Sequence, residues 1–77
     1  MTWSDALQAE TRRILDEREH VPMGDHVYLK HTDGRFGQIA VGDWLGGWPM
    51  TVADRRSGAT EDHANIESLL AVGWAVD

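Results

Sequence analysis

The stretch HVYLKHTDGRFGQIAV, His26 to Val41, decides the fold. Two apolar-bearing runs flank Asp33-Gly34, a strong short-range hairpin signal. Two registers compete. A two-residue loop pairs Thr32 with Arg35 and puts Val27 and Leu29 on one face but Ile39 and Val41 on the other. A three-residue loop, Thr32-Asp33-Gly34, pairs His31 with Arg35, and Gly34 takes the left-handed position of a bulged turn. Val27, Leu29, Ile39 and Val41 then share one face. A slip of one residue inverts every side chain, so the hydrophobic pattern selects the three-residue loop. His26, Tyr28, Lys30, Phe36 and Gln38 fall on the opposite face.

N-terminal to the hairpin, residues 3–19 read as a helix. Thr2 followed by Asp5 fits a capping box. Trp3, Leu7, Ile14 and Leu15 form one stripe, with Thr11 filling the gap. Val21-Pro22 ends the helix, because the residue before proline disfavours the α region.

C-terminal to the hairpin comes VGDWLGGWPMTV, Val41 to Val52. Trp44 and Trp48 are four apart, which suits a helix face, but Gly46-Gly47 and Pro49 argue against a helix. The stretch reads as a flexible loop. Its two indoles either plug an open edge of the core or project as interface anchors, since tryptophan dominates binding hot spots. One ring in and one ring out is the expected arrangement. MTVADRR is a third strand with Met50 and Val52 inward. Arg56-Ser57-Gly58 is a turn, and ATE (59–61) a short fourth strand. NIESLLAVG is a short helix capped by Asn65 or Asp62 and stopped by Gly73. WAVD is a final strand burying Trp74 and Val76.

The order α-β-β-β-(β)-α-β predicts an α+β fold. It is a small antiparallel sheet of three to five strands, with an N-terminal helix and a short C-terminal helix packed on one face. Residues 1–77 are expected to form a single compact domain. A chain of 77 residues buries roughly 60% of its unfolded surface. Its core is therefore thin, and the tryptophans at 3, 44, 48 and 74 help to supply the area.

Composition narrows the function. There is no cysteine, which excludes disulfides and cysteine-ligated zinc. The charged N-terminus does not read as a secretory signal, and no run approaches a membrane span. The expected location is the cytoplasm. Thirteen acids against seven bases give a net charge of −6. That sign opposes direct duplex binding, which draws on phosphate contacts. It suits either a solvated acidic surface or attraction to a basic partner.

Chemistry finds few footholds. His26 and His31 are five apart on one strand and face opposite ways, and no HExxH or His-x-His spacing occurs. No metal site and no cofactor are expected. Ser4, Ser57 and Ser68 lie in a cap, a turn and a short helix, none in a strained nucleophile elbow. DGRFGQ and GDWLGGW lack the lysine and the spacing of a phosphate loop. The chain is not expected to be an enzyme.

The leading expectation is a non-enzymatic acidic protein-binding module, an inhibitor or adaptor that docks a basic partner surface. Trp44, Trp48, Tyr28 and Phe36 are its candidate anchors, Asp43 steers, and Lys30 lies beside the aromatic pair. One alternative uses the outer hairpin face, with Tyr28, Phe36, Lys30 and Arg35, to stack single-stranded nucleic acid or a small aromatic ligand. That alternative needs Arg55 and Arg56 beside the same face to offset the overall acidity. It also needs the tryptophan loop not to cover that face. A third reading is a structural subunit or homodimer formed through an open sheet edge. In size, acidity and element order, though in no motif, the chain resembles small phage-encoded inhibitors of bacterial defence nucleases, including anti-CRISPR proteins. That resemblance implies an inhibitor of a nuclease.

Overall fold

The three-residue loop governs the hairpin in a computed structural model that describes residues 2–18 and 24–77. The His31 N–H donates to the Arg35 carbonyl at 2.9 Å, and the Gly34 N–H donates back to His31 at 3.0 Å. Gly34 has φ of 95°, the left-handed conformation the turn requires. Strands β1 (His26–His31) and β2 (Phe36–Ala40) pair Val27 with Ile39 and Lys30 with Phe36. Val27, Leu29 and Ile39 are buried.

Three more strands, β3 (Met50–Asp54), β4 (Thr60–His63) and β5 (Trp74–Val76), complete an antiparallel sheet in the order β4-β3-β2-β1-β5. The fold is thus a small α+β domain with an N-terminal helix and a short C-terminal one. The fourth strand is longer than expected and includes Asp62 and His63. Among the described residues, no helix is long and apolar enough to cross a membrane.

Helix α1 (Asp5–Leu15) starts later and ends earlier than the sequence suggests. Its cap is Ser4 rather than Thr2: the Ser4 hydroxyl accepts the Leu7 N–H at 3.2 Å. Hydroxyl residues at 2 and 4 compete for one role, and Ser4 stands three before the N–H it satisfies. The chain has left the helix by Arg18, where φ is 54°. The stop expected at Val21-Pro22 lies outside the described residues. The apolar stripe holds for Leu7, Ile14 and Leu15 but not for Trp3, which precedes the helix and lies beside Lys30. Thr11 and Leu15 are buried, and Leu7 and Ile14 pack on the core. α1 also covers the sheet edge at β5, where the Thr11 hydroxyl accepts the Val76 N–H at 3.2 Å.

The tryptophan stretch is not a flexible loop. Val41–Gly46 is a six-residue helix, α2. The glycines and proline that argued against a helix mark its end. Gly46 is its last residue, Gly47 follows with φ of 80°, and Pro49 comes after. Val41 and Trp44, three apart, turn the same side toward the core. Helix α3 (Ile66–Ala71) is capped by Asn65, whose side chain accepts the Ser68 N–H at 2.9 Å. Gly73, φ 109°, stops it.

Trp74 spans the core floor. Its indole lies against Gly37 on β2, and its Nε1–H donates to Glu61 on β4. One side chain on an edge strand therefore ties together residues from both edges of the sheet.

Candidate functional site

The six candidate residues separate into two sets. Tyr28, Lys30 and Phe36 stand on the outer sheet face. Trp44, Trp48 and Asp43 belong to the α2 segment, which packs across the covered face through Trp44, Val41 and Trp48. No shared surface holds all six.

On the covered side, Trp44 is core. It is 2% exposed, and its Nε1–H donates to the Ile14 carbonyl at 2.8 Å. It is therefore out of a partner's reach. Trp48 is half-buried, and its Nε1–H donates to Asp16 Oδ1 at 3.0 Å. Arg18 closes the arrangement by donating from Nε to the Trp44 carbonyl at 3.1 Å. Leu45 between them is 63% exposed, and Asp43 is exposed too. Tight hydrogen bonding thus fixes the α2 ridge, on which Leu45 and Asp43 are exposed on different sides of the helix, with Asp16 bonded to the half-buried Trp48. Leu45 carried no sequence signal of its own. Its role follows from the helix, which turns Trp44 inward and leaves its neighbour out.

The outer face is open at Tyr28 and Phe36 and closed at β5, where Ala75, the partner of Lys30, is fully buried. The α2 segment does not fold over it, so Tyr28 is 42% and Phe36 50% exposed. The register explains their company. Lys30 pairs with Phe36, and the Arg55 N–H donates to the Phe36 carbonyl at 2.9 Å. Lys30, Phe36 and Arg55 thus form one row across β1, β2 and the end of β3. The row beside it holds Tyr28 and Gln38. The Arg55 guanidinium lies 4.7 Å from the Tyr28 ring centroid. The Lys30 ammonium lies 5.1 Å from the centroid of the Trp3 ring. Trp3 is itself held by a 2.8 Å bond from its Nε1–H to the Gly73 carbonyl. The His26 ring is 6.3 Å from that of Tyr28.

Beyond Phe36, the two hairpin turns border an open cleft lined by Arg35, Phe36, Arg55 and Arg56. Carboxylates shape both turns. Asp33 accepts the Arg35 N–H at 3.0 Å and its Nε–H at 2.7 Å. Asp54 accepts the N–H groups of Arg56 at 2.8 Å and Ser57 at 3.0 Å. Those backbone donors hold both carboxyls below the usual aspartate range, Arg35 doing so for Asp33 and Ser57 and Arg56 for Asp54.

Sequence reasoning also missed a buried polar cluster. His63 is buried between β4 and α3, with Nδ1 2.9 Å from the Ser68 hydroxyl oxygen. Its Nε2 lies 3.7 Å from Glu61 Oε1 and makes no hydrogen bond. The cluster fastens α3 to β4. Among the described residues, no group of three histidines, cysteines or acids is placed to hold a metal ion.

No protein-family model, curated protein or solved structure matches this chain.

Proposed function

We propose that this protein is a non-enzymatic binding module that docks a protein partner bearing a basic surface, in the manner of an inhibitor or adaptor. The observation that carries the reading is the α2 ridge. Leu45 is a large apolar side chain at 63% exposure on a segment held by three side-chain bonds. A fixed apolar residue on an acidic chain suits a complementary basic patch, because a preorganised anchor loses little freedom on binding. Asp43 and Asp16 supply the steering charge, together with the net −6 of the chain.

Affinity capture from the host lysate tests the proposal. A partner retained by the wild type should be released as ionic strength rises and should not be retained by Leu45→Asp. Equal capture by wild type and variant at every salt concentration refutes it.

A further inference from the structure

We infer that the outer sheet face, independently of the α2 ridge, is a binding site for single-stranded nucleic acid. Three observations meet there. The first is the pair of exposed rings. Tyr28 and Phe36 occupy diagonal positions on neighbouring strands, a separation of about 7–8 Å. An extended single strand can place a base on each ring. Stacking of this kind requires unpaired bases.

The second is the sorting of charge. Of the seven lysines and arginines, Lys30, Arg55 and Arg56 collect at this face and its hairpin end, while Arg35 pairs with Asp33 and lies 5.2 Å from the Trp74 ring centroid on the covered side. Arg12, Arg13 and Arg18 lie on α1 or just after it. The acids near these three cations are Asp54, bonded to turn backbone, and Asp77, whose N–H pairs with Tyr28. With the Asp33–Arg35 pair neutral, three cations against two acids leave this end positive in a chain of net charge −6. Asp62 sits at the opposite end of the sheet, bonded to Thr51.

The third is how the cations are held. Lys30 and Arg55 rest on aromatic rings and, among the described residues, pair with no carboxylate. Their charge is available to phosphate, and the Arg55 plane over Tyr28 extends the stacking surface. A basic face does not attract the basic partner assigned to the ridge, so the two surfaces serve different ligands. A duplex hides its bases and meets the acidic remainder of the molecule, so it gains little here.

Fluorescence anisotropy of a labelled single strand of roughly twelve nucleotides, a length within the usual site sizes, tests the inference. The wild type should bind at low salt, and binding should weaken as salt rises. Phe36→Ala and Arg55→Glu should each weaken it about tenfold, the loss of one stacked base or phosphate contact. Both side chains are exposed, and circular dichroism should show the variants folded. Leu45→Asp should bind the strand like the wild type, which separates this site from the ridge. Absence of binding at low salt overturns the inference, as do equal affinity for duplex and unchanged affinity in both variants. It is also overturned if Phe36→Ala loses a captured protein while no oligonucleotide binds.

Discussion

A Cβ added to Gly37 would stand 2.9 Å from two carbons of the Trp74 indole and 2.9 Å from Val52 Cγ1. Gly37 is thus the recess in β2 that lets a tryptophan from β5 lie across the sheet toward Glu61. Its backbone does not require glycine, since its φ is not among the positive ones. The restriction is steric. Gly37→Ala should overpack the core and cost about 1–3 kcal/mol. Urea unfolding with an unchanged m-value measures it, and an unaltered midpoint contradicts the close contact.

The hairpin register was legible because four aliphatics have only one arrangement that gathers them. Three of them, Val27, Leu29 and Ile39, are buried in the sheet, while Val41 begins α2. The tryptophan stretch was not legible, because Gly-Gly and proline were weighed as breakers. Their position after Trp44 makes them a helix stop, and position relative to the end decides what a breaker means. The aromatic pair at Tyr28 and Phe36 was visible as face alternation. Its neighbour Arg55 needed the β2–β3 pairing, a non-local fact that no spacing in the sequence encodes. Ser68 and His63 meet for the same reason.

The register carries its own test. Leu29 is buried and Tyr28 exposed, so Leu29→Ala should cost about 2–5 kcal/mol and Tyr28→Ala clearly less. Gly34→Val should cost about 1–3 kcal/mol through backbone strain alone, since a Cβ there meets nothing within 4 Å. Thermal unfolding of the three variants ranks them. Equal losses at Leu29 and Tyr28 contradict an outer face open at Tyr28.

Within α2 the two neighbours Trp44 and Leu45 should part sharply. Trp44→Ala empties a core site and removes the bond to Ile14, for about 3–5 kcal/mol. Leu45→Ala touches a solvated side chain and should stay within about 0.5 kcal/mol. Denaturant midpoints check both. A large loss at Leu45 would place it in the core and remove it from the ridge.

Acid should weaken the fold through the hairpin turns. Backbone N–H groups hold Asp33 and Asp54 below the ordinary aspartate value. A depressed folded value stabilises the protein above the unfolded pKa of about 3.9, and that contribution disappears as pH falls through the lower folded value. Unfolding midpoints should therefore drop between about pH 5 and pH 2. Asp54→Asn should be weaker near neutral pH and decline less steeply. Parallel pH profiles for the two proteins contradict the assignment.

The β5 edge depends on one hydroxyl. Thr11 Oγ1 donates to the Leu7 carbonyl at 2.8 Å and accepts the Val76 N–H at 3.2 Å, and the residue is fully buried. A sheet edge buried under a helix has no water to satisfy its N–H groups, so the helix supplies the acceptor. Thr11→Val keeps the shape and removes the oxygen. It should leave the Val76 N–H unsatisfied and cost about 1–3 kcal/mol. Thr11→Ser keeps the oxygen and loses a methyl, so it should cost about 1 kcal/mol. Hydrogen exchange at the Val76 amide distinguishes the two changes locally. The amide should exchange faster in Thr11→Val than global destabilisation alone predicts, while Thr11→Ser tracks global stability. If both variants follow global stability alone, α1 holds the edge by packing rather than by this bond.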